Sequence, residues 1–197
     1  MELVPGDNHV PSTNPGVKLT YEDYLLLPND GLRHELLDGE HYVTPSPSLK
    51  HQKVLLNLTL LIGNWLAANP VGQILFAPFD VVLSLFDVVV PDLVYISNQR
   101  APKILDPAKA QGAPELVVEI VSPGTRQRDE TTKRRLYERF GVTEYWVVDP
   151  ELDVVRVYRR GVGGFTRPIE ISTEEEDVLT TPLLPGLRLP LRDIFRA

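Results

Sequence analysis

Two hydrophobic segments, each with a carboxylate in its interior, constrain this chain more than any other feature. The first runs from Val88 to Ile96 and contains Asp92; the second runs from Pro114 to Ser122 and contains Glu119. Apolar, β-branched runs of this length bounded by Pro, Gly or Ser indicate core strands rather than helices. Burying an ionised carboxylate is unfavourable unless a partner offsets the cost. We therefore expect a cation close to both residues, and a hard divalent metal is the simplest one.

Length and composition favour a single domain of residues 19–197 that follows a flexible arm of residues 1–18. The chain has 197 residues and is 43% hydrophobic, which is enough for a sizeable core. It has no cysteine. Disulfides and thiolate metal sites are therefore excluded, and the composition fits a reducing cytoplasm. No apolar run approaches the roughly 18 residues that a membrane span needs, so we expect a cytoplasmic protein without a membrane partner.

The charge distribution leaves nucleic-acid binding open. A net charge of -7 argues against holding nucleic acid by bulk electrostatics. Between Arg126 and Arg139, however, six basic residues accompany three acidic ones, which gives a local charge of +3. This segment is either a basic binding face or an ordinary solvated helix surface.

The predicted elements of the first half are helices and antiparallel strands. The capping-box pattern Thr20 to Asp23 predicts a short helix over 21–27. Asp38 and Gly39 lie between two alternating runs and predict a hairpin over 34–43. Apolar residues at helical spacing predict an amphipathic helix over 50–68. Strands over 73–76 and 79–86 are expected to lead into the Val88 strand as an antiparallel meander.

The second half predicts a parallel pair of strands. A helix over 129–140, with Gly141 as its C-cap, separates the Glu119 strand from a further strand over 144–150. This order indicates a right-handed crossover, and hence an α/β protein with a central mixed sheet flanked by helices and an N-terminal β-hairpin. A peripheral hairpin is expected over 154–171. The Pro-punctuated tail over 183–195 is expected to lie across the surface.

Asp92 and Glu119 can meet only if their strands are neighbours. Period-two alternation puts Asp92 on one face with Val94, and Glu119 on one face with Val121. Pro91 cannot donate to a strand ladder, which indicates a sheet edge or a bulge at this point. If the strands pair, the two carboxylates converge.

The ordered set of motifs resembles the Uma-type restriction endonuclease family of the PD-(D/E)XK nuclease superfamily. The resemblance extends over roughly residues 19–195. Its motifs are Glu35 to Glu40, Pro91-Asp92, Pro114 to Pro123, Asp129, Lys133, Tyr137 and Gly141 to Pro150.

The resemblance implies a restriction-endonuclease-like fold and a divalent-metal-dependent endonuclease that hydrolyses DNA phosphodiester bonds with a metal-activated water. The cofactor would be Mg²⁺, with Mn²⁺ as a substitute, bound by Asp92, Glu119 and the carbonyl of Ile120. Cleavage of both strands of a duplex requires two sites, so a homodimer is expected.

One position departs from the superfamily pattern. A Lys ordinarily follows two residues after the Glu, and here that position is Val121. Lys133, near the start of the next helix, is the expected substitute, able to orient the attacking water or neutralise developing phosphate charge. By resemblance, Glu35 is an additional carboxylate that supports the site. The catalytic set is therefore Asp92, Glu119, Lys133 and Glu35.

Each residue also has a purely structural interpretation. Asp92 would be a solvated turn residue, and Glu119 would form a buried ion pair with an arginine such as Arg126. Glu35 would pair with Arg33 or face water. Lys133 would form a helix-surface pair with Asp129 worth about 0.3–0.5 kcal/mol.

Three further residues are interpreted as structural: His51 as a surface or capping residue outside the catalytic set, and Tyr137 and Trp146 as core residues. The competing function is a catalytically inactive nucleic-acid-binding or regulatory module that keeps the nuclease fold; a homodimerisation role is the weakest interpretation.

Overall fold

The computed structural model describes residues 9–10, 17–174 and 177–196, with only the backbone of residues 9 and 10. Most of the expected flexible arm, residues 1–8 and 11–16, therefore lies outside the described residues. The strands are β1 (His9–Val10), β2 (Arg33–Leu37), β3 (Glu40–Thr44), β4 (Gly72–Phe76), β5 (Asp80–Ser84), β6 (Asp87–Val89), β7 (Leu93–Ser97), β8 (Lys109–Gln111), β9 (Leu116–Ile120), β10 (Glu144–Asp149), β11 (Val154–Gly161), β12 (Gly164–Phe165), β13 (Ile169–Ser172), β14 (Val178–Leu179) and β15 (Leu189–Pro190). The helices are α1 (Tyr21–Tyr24), α2 (Leu49–Ala68), α3 (Ala101–Ile104), α4 (Arg126–Arg128), α5 (Arg134–Phe140) and α6 (Leu191–Ile194), with a π-helical turn over Asp129–Lys133.

Two mixed sheets form the centre of the molecule. The first has the strand order β1-β3-β2-β6-β5-β8 and the second the order β12-β11-β10-β9-β7-β4, with β13 also paired to β11. In the second sheet β9 and β10 are parallel, as the strand-helix-strand order predicted, while β7 and β9 are antiparallel. The mixed α/β architecture expected from the sequence is therefore confirmed.

Local sequence signals gave several elements correctly. Thr20 caps α1 with a full capping box, although the helix ends at Tyr24 rather than Leu27. Asp38 and Gly39 both have positive φ values, 53° and 78°, as the two-residue turn between β2 and β3 requires. Helix α2 begins one residue earlier than predicted, with Ser48 as its N-cap.

The predicted Val88 strand is in fact two strands in different sheets. β6 pairs with β2 and β5 in the first sheet, whereas β7 pairs with β4 and β9 in the second. The chain passes from one sheet to the other through Val90, Pro91 and Asp92. The meander prediction was therefore correct only for the antiparallel pair of β5 and β6. It was wrong for β4, which pairs with β7 in the second sheet, and for the continuous strand, because Pro91 ends one ladder and the next strand starts in another sheet. This break places Asp92 at the junction of the two sheets.

Two apolar cores cover the faces of the second sheet. One lies between the sheets and includes Val89 of β6, Val117 of β9 and Leu136 of α5. The other joins the opposite face to α2 and to the chain after residue 179. Leu184, Leu187 and Ile194 of this C-terminal segment are buried. The prediction that the tail lies on the surface was therefore wrong, because its regularly spaced apolar residues pack into a core that α2 leaves open.

Within the described residues, no helix is both long enough and apolar enough to span a membrane.

Candidate active site

The pairing of β7 with β9 brings Asp92 and Glu119 to the same place. Leu93 lies opposite Val118 in this antiparallel pair, so the two carboxylates are at adjoining positions just beyond the last paired residues. Asp92 is 2% exposed and Glu119 is 3% exposed. Both line one cavity of about 240 Å³, together with Glu35, Ile120 and Lys133. The structure thus brings together all five residues that the resemblance singled out.

Asp92 is held as an anion by three donors. Its Oδ1 accepts a hydrogen bond of 2.7 Å from Arg33, and its Oδ2 accepts one of 2.8 Å from the Ile120 amide. His51 Nε2 lies 3.1 Å from the same Oδ2. Burial alone would raise the pKa of Asp92, but the hydrogen bond and charge of His51, the charge of Arg33 and the Ile120 amide lower it to about 2. Asp92 is therefore ionised at neutral pH.

Glu119 and Glu35 share one lysine. Lys133 Nζ lies 3.0 Å from Glu119 Oε1 and 2.7 Å from Glu35 Oε1. The Tyr137 hydroxyl also donates to Glu119 Oε1 at 2.6 Å, and the Val90 amide donates to Glu35 Oε1 at 2.9 Å. Glu35 comes from β2 of the hairpin. Strand, hairpin and helix therefore converge on one buried ammonium group.

A π-helical turn places the Lys133 side chain in this position. Residues 126–140 are helical throughout, but Asp129–Lys133 forms a π turn, a distortion often found at functional sites. Asp129 and Lys133 are both buried, and Asp129 Oδ1 lies 3.6 Å from Lys133 Nζ. Val121, which replaces the expected lysine, packs in the core between the sheets. Lys133 thus reaches Glu119 from a different element.

Acidic side chains crowd the cavity. Asp92, Glu119, Glu35 and Asp129 contribute four carboxylates, and the basic side chains beside them are Arg33, Arg128, Lys133 and His51. Burial raises the pKa of Glu119 to about 8; Lys133 opposes this rise, and the charges of Asp129, Asp92 and Glu35 reinforce it. A pKa of about 8 favours the protonated form of the Glu119 carboxyl at neutral pH.

Lys133 remains a cation. Burial would lower the pKa of its ammonium group, but the charges of Glu119, Glu35 and Asp129 raise it above its ordinary value. The pKa of Glu35 is lowered: burial opposes ionisation, and the charges of Lys133 and Arg128 overcome that effect. At neutral pH, then, Lys133 is a hydrogen-bond donor and not a base.

The oxygen atoms that line this cavity are of the kind that binds a hard divalent cation. Glu35 Oε2 and Asp129 Oδ1 are buried carboxylate oxygens that have no hydrogen-bond partner among the described residues. Carboxylate and carbonyl oxygens are the ligands that Mg²⁺ prefers. In residues 17–174 and 177–196, however, no three His, Asp or Glu side chains are already grouped as metal ligands. The residues are of the chemical type that binds such an ion. In this structure the carboxylate oxygens of Asp92, Glu119 and Glu35 are held by Arg33 and Lys133.

The structure agrees with the structural interpretations of these residues only in part, since Glu119 is in a buried ion pair, but with Lys133. Asp92 is buried rather than solvated. Arg126 pairs with Asp149 and Arg33 pairs with Asp92, so neither is the partner that was considered for Glu119 or Glu35. The Lys133–Asp129 pair exists but is buried.

Only part of the basic segment faces solvent, where Arg135 is exposed. Arg128 and Lys133 point inward and are buried. Arg126 pairs with Asp149, and Arg139 lies 2.9 Å from Asp87. Both interpretations offered for this segment, a basic binding face and a solvated surface, were therefore incomplete.

Sequence reasoning missed His51. It is 4% exposed and contacts Asp92, whereas we expected a surface or capping residue. The signal was its spacing: His51 precedes the buried Val54 and Leu58 of α2 by three and seven residues, which puts it on the apolar stripe. Tyr137 and Trp146 are buried, as predicted, but Tyr137 also donates to Glu119.

Comparison with solved structures defines the class of this fold. The chain is similar to the crystal structure of "a putative nuclease belonging to DUF820" from Anabaena variabilis ATCC 29413, with a TM-score of 0.76 and 21% sequence identity. The match covers 90% of this chain and 97% of the other. The fold is therefore that of a restriction-endonuclease-like protein.

The sequence family agrees with this class. The family model described as "Uma2: Putative restriction endonuclease" matches residues 21–192, and the chain belongs to this family. A comparison with curated proteins found no match.

Proposed function

We propose that this protein is a divalent-metal-dependent endonuclease that hydrolyses DNA phosphodiester bonds, and that residues 19–197 act as one nuclease domain. The family membership supports the nuclease class. The observation that carries the proposal is the position of Lys133, whose Nζ lies 3.0 Å from Glu119 Oε1 although Val121 occupies the usual lysine position. Lys133 of the helical segment thus supplies the cation that a lysine at position 121 would supply, as a retained active site requires.

Asp92, Glu119 and the Ile120 carbonyl would hold Mg²⁺ or Mn²⁺. When bound, such an ion polarises the phosphoryl oxygen and lowers the pKa of an attacking water. Asp92 is already ionised, and His51 and the Ile120 amide fix its Oδ2. Glu119 must lose its proton to become a ligand.

The cations of the site have separate tasks in this proposal. Lys133 stays protonated and donates hydrogen bonds, so it orients the attacking water or stabilises the charge that develops on the phosphate. Glu35 holds Lys133 in place through its Oε1. Arg33 is partly exposed and lies beside Asp92, where it can contact the scissile phosphate.

Cleavage of plasmid DNA with added Mg²⁺ or Mn²⁺ tests the proposal. We expect cleavage by the wild type and a loss of at least about 100-fold in Asp92→Asn and Glu119→Gln, as when an essential electrostatic group is removed. Glu115→Gln is the matched control, because Glu115 precedes the start of β9, away from the cavity, and accepts a hydrogen bond from the Ser97 hydroxyl. Cleavage that survives Asp92→Asn would defeat the assignment.

Light scattering of the same samples tests the expected homodimer.

A catalytically inactive nucleic-acid-binding or regulatory module is the second candidate. It is favoured by the Arg33–Asp92 ion pair of 2.7 Å and by the lack of a ready three-ligand group in the described part of the chain. A folded wild type that binds no Mn²⁺ in calorimetry and cuts no DNA would support this candidate.

A further inference from the structure

A second cavity of about 500 Å³ opens directly beside the candidate active site. Arg33, Thr44, His51 and Asp92 line both spaces, so the two adjoin each other. The Ala77 amide donates a hydrogen bond of 3.1 Å to the Asp92 carbonyl, which ties the far wall of this cavity to the site. We call this second space the side cleft. Its volume lies in the range of small-molecule sites, about 300–1,000 Å³.

The walls of the side cleft carry exposed apolar side chains. Leu32, Leu56 and Phe76 are 46%, 56% and 56% exposed, and all three line the cleft. Large apolar groups clustered in a concave space mark a binding site more often than the same groups scattered over a surface. Phe76 ends the edge strand β4 and contributes an aromatic ring to the cleft.

The charges of the side cleft argue against a duplex in it. Among the described residues that line it, the titratable side chains are Arg33, His51 and Asp92, and both Arg33 and His51 pair with Asp92. The neighbouring cations Arg128 and Lys133 are buried beside carboxylates. A duplex held through its phosphates needs several free Lys or Arg side chains. A single base needs mainly an apolar surface and an aromatic ring, because every base has a stacking face.

We propose that the side cleft binds one unpaired nucleotide next to the scissile phosphate, with its base against Phe76. The inference rests on the proposed nuclease function, since the site it adjoins is where the phosphate would be cut. The substrate is accordingly a single-stranded or locally unpaired segment of DNA. A nucleotide in a duplex would have to leave its stack to enter.

Binding measured by fluorescence anisotropy in EDTA tests this inference without cleavage. The probes are a labelled single-stranded oligonucleotide and a duplex of the same sequence. We expect tighter binding of the single strand, and a log–log salt slope between about −0.7 and −1.4, as for contact with one or two phosphates. Phe76→Ala should weaken single-strand binding about 5- to 150-fold, as stacking residues do.

Matched variants separate the ring from general effects. Phe76→Trp keeps an aromatic face and should retain binding. Leu60→Ala removes a side chain of α2 that is 52% exposed and does not line the cleft, and it should leave binding unchanged. Thermal melts of each variant check that the fold is intact.

The outcomes distinguish this inference from the proposed function. Tighter binding of the duplex, no binding of either probe, or a Phe76→Ala effect no larger than that of Leu60→Ala would overturn the inference. If Asp92-dependent cleavage persists while Phe76→Ala has no effect, the cleft inference alone fails. If the single strand binds through Phe76 but no metal-dependent cleavage is found, the nuclease proposal alone fails.

Discussion

The candidate active site has an Asp92 side and a Glu119 side, and these two carboxylates differ in the hydrogen-bond donors and cations that contact them. On one side, Asp92 receives hydrogen bonds from Arg33, His51 and the Ile120 amide, and its pKa is about 2. On the other, Glu119 shares Lys133 with Glu35 and Asp129, and its pKa is about 8. Both carboxylates are equally buried. Burial alone therefore does not set the charge of a carboxylate in this cavity; the hydrogen-bond donors and the charged groups around each carboxylate also do.

This difference gives the two carboxylates different parts in the proposed chemistry. Asp92 is a fixed anion before any ligand arrives. Glu119 is a carboxylic acid that can lose its proton when further positive charge enters the cavity. A divalent cation is a source of that charge.

The largest expected effect comes from removing the cation on the Glu119 side. Lys133→Met leaves Glu119 and Glu35 without the ammonium group that lies within 3.0 Å of both. We expect the free energy of unfolding to fall by about 3–5 kcal/mol, the usual cost of breaking a buried ion pair from one side. Urea denaturation measures it, with Arg134→Met on the same helix as control. An equal, small loss in both variants would show that Lys133 stabilises little.

The second effect is a pH dependence set by Glu119. Its pKa rises from an ordinary 4.5 to about 8 on folding, so between these values the folded protein holds a proton that the unfolded chain has lost. Stability therefore falls as the pH rises from about 5 to 8, by at most about 1.4 kcal/mol per pH unit. Glu119→Gln should remove this slope in denaturation experiments. A slope that is unchanged in the variant would place the proton elsewhere.

The smallest effect is on the Asp92 side. His51→Ala removes one of the three donors, so the pKa of Asp92 should rise and the free energy of unfolding should fall by about 1.5–3 kcal/mol. The stability due to ionised Asp92 is present above pH 4 and is lost as the pH falls through about 2. Acid unfolding should therefore begin at a higher pH in His51→Ala than in His34→Ala, since His34 contacts Asp30 and His41 instead. Identical acid transitions would contradict this account of Asp92.

Local signals predicted most of the fold. The Asp38-Gly39 turn, the amphipathic helix α2 and the parallel pair of β9 and β10 all followed from turn chemistry, periodicity and element order. The change of sheet at Pro91 did not. A continuous apolar run looks the same whether it stays in one sheet or crosses between two buried ones, because both sides are covered.

The residues of the candidate site were predicted from the sequence, but the contacts between them were not. Asp92 and Glu119 stood out as carboxylates in apolar runs, whereas the π turn that turns Lys133 inward has no marker in Asp129–Lys133. His51 was overlooked because a single polar residue at a helix start is usually solvated. Its burial depends on Asp92, 41 residues away, and such a contact is set by tertiary packing.

Calorimetric titration of the wild type with Mn²⁺ at pH 7, in two buffers of different ionisation enthalpy, tests the central claim most directly. The account predicts binding accompanied by release of a proton, and loss of binding in both Asp92→Asn and Glu119→Gln. Absence of binding, or binding that is unchanged in both variants, would contradict it.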